Sequence, residues 1–138
     1  MDTTPQSLHK VLHHVAAVYA RESDQILLEQ FGIGFSQFKI LNSIQENPAL
    51  RQNHIAFELG QTEASVSRQV KLLQDRGMLM VRVNPANKRE HGIHITPKGE
   101  RLMDAAQGVL ANYQSAVVSH LSKKQQVQLL ELLAGIYR

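Results

Sequence analysis

Gly60 separates two short helical patterns, and that spacing limits the fold more than any other feature of the chain. Asn53 to Leu59 turns Ile55, Ala56 and Leu59 to one side, and Gly60 stands where glycine is favoured just past a helix end. Thr62 is a suitable N-cap for a second helix from about Glu63 to Arg76, which Gly77 ends. Met78 to Val83 is apolar and short enough to be a strand. Asn84-Pro85-Ala86-Asn87 is turn chemistry, and Gly92 to Thr96 reads as the returning strand of a hairpin with a long tip.

The flanks are helical. Leu8, Val11, Leu12, Val15 and Tyr19, then Ile26, Leu27 and Leu28, predict a long helix from about Ser7 to Gln30, broken at Phe31-Gly32-Ile33-Gly34. A second covers about Ser36 to Glu46, with Phe38, Leu41 and Ile44 on one face and Asn47-Pro48 at its end. Pro97 suits the first turn of a helix. The chain from Lys98 to Tyr137 is helical with one break, where Ser122 and Gln125 fit a capping box. The fold class expected is mainly α with a small β-hairpin wing, a winged helix-turn-helix plus a helical dimerisation lobe. We take residues 1–138 as one domain, with about 36–100 as the helix-turn-helix and wing lobe and about 7–30 and 100–137 as the helical lobe.

Charge is concentrated. Residues 61–101 hold eight Lys or Arg (Arg68, Lys71, Arg76, Arg82, Lys88, Arg89, Lys98, Arg101) against four acids, a net of +4, within a chain whose total is +3. A basic stretch of this kind is the footprint of a polyanion partner. On the second short helix Val66, Val70 and Leu73 fall inward at 100° per residue, and Gln61, Ala64, Arg68 and Lys71 fall opposite, flanked by Ser65 and Ser67. That outer face is small, polar and basic, and a helix fits the DNA major groove. Candidate DNA contacts are therefore Gln61, Thr62, Ala64, Ser65, Ser67, Arg68 and Lys71, with Lys88 and Arg89 on the wing tip, where an arginine can enter a narrow minor groove.

Ile55-Ala56, Leu59, Ala64-Ser65-Val66-Ser67-Arg68-Gln69-Val70, Leu72-Leu73 and Arg76-Gly77-Met78-Leu79 resemble the core of the MarR (multiple antibiotic resistance regulator) family. Asn87-Lys88-Arg89, followed by Ile95-Thr96-Pro97-Lys98-Gly99, is similar to that family's wing signature. The resemblance implies a homodimeric repressor or activator on a pseudo-palindromic site, with Arg89 in the minor groove. It also implies a small phenolic or aromatic anionic ligand that releases DNA in many relatives. Two positions depart from the family pattern. Asn87 replaces the usual aspartate and cannot pair ionically with Arg89. Val81 stands where an arginine is frequent, and Arg82 follows one residue later, on the opposite face of a strand.

Other functions find little in the sequence. Cysteine is absent, which excludes disulfides and thiolate chemistry. His9 and His13 are four apart, a spacing that can bind zinc, but no further ligand completes a site, so no metal and no cofactor are expected. His91 and His94 read as polar wing residues. No phosphate-binding glycine loop, nucleophile elbow or paired carboxylate indicates an enzyme. The start of the chain lacks the pattern of a signal peptide and no apolar run is long enough to span a bilayer, so a cytoplasmic protein without membrane contact is expected. The last helix carries Leu129, Leu130, Leu132, Leu133, Ile136 and Tyr137 around more than one face, and a dimer with the first helix would cover them. The alternatives are a winged-helix module for protein contacts and a non-specific nucleoid-type DNA binder.

Overall fold

The computed structural model describes residues 2–137, without the side chains of Val83, Asn84 and residues 87–91. The elements in order are α1 (Pro5–Phe31), α2 (Phe35–Glu46), α3 (Gln52–Leu59), α4 (Glu63–Asp75), β1 (Leu79–Asn84), β2 (Asn87–Ile95), α5 (Pro97–Val117) and α6 (Lys123–Ala134). The chain divides into two compact units, Met1–Ala106 and Gln107–Arg138, with the boundary inside α5.

In the first unit, helix ends are set by local chemistry. α1 begins two residues before the expected start at Ser7 because Thr4 accepts a hydrogen bond from the Ser7 N–H (3.2 Å) and Pro5 fits the first turn. α2 starts after Gly34, which has no side chain to cap it. Asp24 of α1 supplies the cap instead, its Oδ1 accepting from the Phe35 N–H at 2.8 Å, while Gln37 Oε1 accepts from the Gly34 N–H at 3.2 Å. We predict that Asp24→Ala lowers stability by about 1 kcal/mol and that Asp24→Asn, which keeps an acceptor, lowers it less. Urea denaturation of the two variants measures this, and equal losses would show that charge rather than capping matters at Asp24.

α3 and α4 both close on the same device. The Gly60 N–H bonds the Phe57 carbonyl and the Gln61 N–H reaches back to the Ala56 carbonyl; Gly77 and Met78 repeat this with Gln74 and Leu73. Each is a Schellman motif with glycine in the left-handed region, φ +64° at Gly60 and +75° at Gly77. β1 consequently begins one residue later than its apolar run suggests, because Met78 still belongs to the exit from α4.

The core of this unit gathers Leu27 of α1, Ile33, Ile40, Leu41 and Ile44 around α2, and Ile55 of α3. Val66, Val70 and Leu73 of α4 join them with Leu79 and Ile93 of the hairpin and Met103 of α5, all buried. The inward set expected for α4 is borne out in full. In the hairpin Leu79 pairs with Ile95, Val81 with Ile93 and Arg82 with Gly92, antiparallel. The alternation puts Leu79, Val81 and Ile93 on the core face and Met80, Arg82 and His94 on the other.

The hairpin differs from expectation at its tip. Asn84 pairs with Asn87, leaving only Pro85-Ala86 as the turn, and β2 begins at Asn87 rather than Gly92. Lys88 and Arg89 thus lie on strand backbone and not on a long turn. Between Val83↔His91 and Asn84↔Asn87 one strand advances one residue and the other four, so residues 88–90 form a bulge. Backbone pairing does not require apolar side chains, and the polarity of this segment had suggested a loop.

In the second unit the end of α5 turns into α6. Ser122 Oγ accepts from the Gln125 N–H (3.1 Å) and Gln125 Oε1 accepts from the Ser122 N–H (2.9 Å), the capping box read from the sequence. Gln126 Nε2 donates to the Val118 and Leu121 carbonyls and fastens the turn to the helix. α6 buries no residue, and Leu129, Leu130, Leu132, Leu133 and Ile136 are exposed. Among the described residues no helix is long and apolar enough to cross a membrane.

Candidate nucleic-acid interface

α4 is fixed at its start by Thr62, whose hydroxyl accepts from the Ser65 N–H at 3.1 Å. Its buried stripe of Val66, Val70 and Leu73 anchors one side to the core. The other side presents Ala64, Ser67, Arg68 and Lys71, all exposed, with Ser65 half-buried beside them. Ala64 and Ser67 are small enough to let the helix backbone approach a surface closely, and Arg68 and Lys71 stand beyond them. Glu63 lies in the first turn, where a carboxylate complements the helix dipole.

Gln61 does not share that face. It precedes the N-cap, where the helical angle no longer applies, and its backbone belongs to the end of α3. Its side chain is half-buried, with Nε2 donating to Ser36 Oγ at 3.1 Å and Oε1 buried without a partner. Gln61 links the tight turn to α2. Thr62 is exposed, but its hydroxyl oxygen is engaged in the cap.

On the wing, the side chains of Asn87, Lys88, Arg89 and His91 lie outside the described residues, so the expected contacts of Lys88 and Arg89, and the Asn87 departure, rest on backbone position alone. The Val81 departure is described. Val81 faces the core side, and Arg82 is exposed on the opposite face. Arg82 is a cation the sequence left unassigned, and the strand alternation that carries it outward was its only signal.

The segment Thr96-Pro97-Lys98-Gly99 turns out to brace the base of the wing. Thr96 Oγ1 donates to the Gly77 carbonyl (2.6 Å) and accepts from the Gly99 N–H (3.1 Å), and the Thr96 N–H bonds the Met78 carbonyl (3.0 Å). Lys98 Nζ donates to the Arg76 carbonyl at 2.8 Å, at the negative end of α4. Gly99 is the residue of closest approach, since a Cβ there would collide with the Met78 carbonyl oxygen and meet Ile95 Cγ1 at 2.8 Å. These bonds join the end of α4, the return of β2 and the start of α5.

His9 and His13 stack with ring centroids 6.4 Å apart, and among the described residues no group of three or more His, Cys, Asp or Glu is placed to hold a metal ion.

The sequence model described as "MarR family" matches residues 31–90, from the end of α1 through the helix pair and into the wing. The MepR–DNA complex of S. aureus is 26% identical and superposes with a TM-score of 0.78 over 96% of each chain. Residues 31–90 are thus similar to the MarR family. PetP of Rhodobacter capsulatus, an HTH-type transcriptional regulator, is 32% identical over 94 residues, covering 66% of this chain and 56% of PetP. A Thauera aromatica protein described as a regulator for the hcr operon is 23% identical over 107 residues, 78% of this chain and 64% of that protein. The chain thus spans less than two thirds of these two relatives. Of the two parts of the wing motif named from the sequence, the second, Thr96-Pro97-Lys98-Gly99, is the brace described above.

Proposed function

We propose that this chain is a MarR-family regulator, a sequence-specific DNA-binding transcriptional regulator that acts as a homodimer on a pseudo-palindromic operator. The observation that carries the reading is the exposed face of α4, where small Ala64 and Ser67 sit beside Arg68 and Lys71 on a helix held rigid by its cap and buried stripe. Such a face enters a major groove, with Arg68 reading a guanine edge or a phosphate and Lys71 a phosphate. Ser65 lies at its margin, and Thr62 orients the helix start that approaches the backbone. Lys88 and Arg89 extend the surface along the wing. Gln61 acts from behind through Ser36. The similarity to MepR, a protein solved in complex with DNA, supports DNA as the partner.

Dimerisation is supported by apolar surface in both units. Leu8, Val11 and Val15 of α1 are exposed, and so is the leucine-rich surface of α6, with Leu130 at 68% and Leu132 at 73%. An exposed apolar patch such as either of these marks an interaction site. In this reading about 36–100 is the DNA-binding lobe and about 7–30 with 100–137 the dimerisation lobe of a single domain. Two recognition helices related by a two-fold axis then fall about 34 Å apart, one DNA turn, or a multiple of it. Release by a small phenolic or aromatic anion, action in the cytoplasm, and binding in place of catalysis complete the reading and rest on the family.

Selection of bound sequences from a random duplex pool tests it. We expect enrichment of an inverted repeat, bound at least about 1,000-fold more tightly than unrelated DNA. Weak, salt-sensitive binding to every duplex would instead indicate a nucleoid-type binder, and no binding at all a protein-docking module.

A further inference from the structure

Arg76 belongs to the basic stretch, yet its charge is turned onto the protein. It stands at the C-cap of α4, and its Nη1 donates to the carbonyl of Gly32, 44 residues earlier. Gly32 is the left-handed corner (φ +68°) that ends α1. A Cβ added at Gly32 would come within 3.2 Å of Arg76 Nη2, so the guanidinium lies over that corner. The backbone of Arg76 itself is also held, its carbonyl accepting from Lys98 Nζ. The carbonyl of the next residue, Gly77, accepts from the Thr96 hydroxyl. The far end of α4 is thus tied to α1 by one side chain and to the wing base and α5 by two others.

We propose that Arg76 is a positioning residue for DNA recognition and makes no DNA contact: it fixes the angle of α4 against the α1 corner, so that Arg68 and Lys71 keep a constant aim. The inference rests on the DNA-binding reading above. The geometry gives it leverage. α4 has 13 residues and is about 20 Å long. A tilt of about 5° about its capped start moves its far end by about 2 Å and its middle, where Arg68 stands, by about half that. Hydrogen bonds to base edges tolerate only a few tenths of an ångström. Phosphate contacts by a flexible lysine tolerate more. Loss of the tether therefore falls mainly on discrimination between sequences.

The test is a salt series of binding titrations on the selected operator and on random duplex, below the melting temperature of each protein. Wild type is compared with Arg76→Ala, Arg76→Lys and Lys71→Ala. Arg76→Ala is expected to bind operator about ten-fold more weakly, to lose less on random duplex, and to keep the wild-type slope of log affinity against log salt. Lys71→Ala, which removes a phosphate contact, is expected to lower that slope by about 0.9. Arg76→Lys, which can still reach the Gly32 carbonyl, is expected to recover part of the operator affinity and to separate tether loss from misfolding. A lowered slope in Arg76→Ala would overturn the proposal by showing that Arg76 meets a phosphate. Equal losses on both duplexes, or no loss, would overturn it as well. Failure of the wild-type protein to bind any duplex would overturn both this inference and the function it rests on.

Discussion

Arg68→Ala is expected to weaken operator binding by about 1–3 kcal/mol, roughly 5- to 150-fold. Arg68 is exposed in the middle of the outer face of α4, opposite the buried Val66, Val70 and Leu73, so its removal leaves core and cap intact. The loss belongs to recognition and not to folding, and the urea midpoint of the variant should match wild type. A guanidinium paired with O6 and N7 of a guanine makes two bonds that no other base pair satisfies. The loss on operator should then far exceed that on random duplex. Titration of both duplexes decides the role: equal losses would reassign Arg68 to the phosphate backbone.

A second large effect is expected inside α5, where two glycines should respond to alanine with opposite signs. Gly99→Ala places a methyl against the Met78 carbonyl oxygen and 2.8 Å from Ile95 Cγ1. Ile95 can rotate, but the Met78 carbonyl is held by the Thr96 N–H, so the backbone itself must part. A cost of about 1–3 kcal/mol is expected. The same shift would loosen Thr96 and Lys98 from the end of α4 and weaken operator binding as well. Gly108 has nothing within 4 Å of its added Cβ. Gly108→Ala should stabilise the helix by about 0.5–1 kcal/mol, the ordinary gain of alanine over glycine. Chemical denaturation of the two variants provides the check, and a neutral Gly99→Ala would mean that the wing base does not need this close approach.

Arg82 offers a smaller comparison. It is one residue from the position where family arginines are frequent, and strand alternation reverses its direction relative to Val81. Exposed opposite the core face, it can act as a cation toward a partner, whereas an arginine at Val81 would have pointed toward the buried Leu79 and Ile93. The departure therefore belongs to the register of this hairpin.

The sequence by itself determined the order of elements, the ends of α3 and α4, the start of α6, and the face of α4. Thr62, Gly60, Gly77, Ser122 with Gln125 and the Val66-Val70-Leu73 stripe all act within one helix and its adjoining turns, and such short-range interactions are written in local spacing. The outer set Ala64, Ser67, Arg68 and Lys71 followed from the same periodicity. Tertiary structure decided what depends on partners distant in the chain. Gln61 turned away from the candidate surface because Ser36 lies beside it, and α2 is capped by Asp24 because Gly34 cannot cap itself. β2 extends to Asn87 because backbone groups across a hairpin pair whatever their side chains are. Arg76 and Lys98 counted as charges toward DNA until folding put the Gly32 and Arg76 carbonyls within their reach. A cation's role is set by the nearest acceptor in space, and no periodicity along the chain encodes that distance.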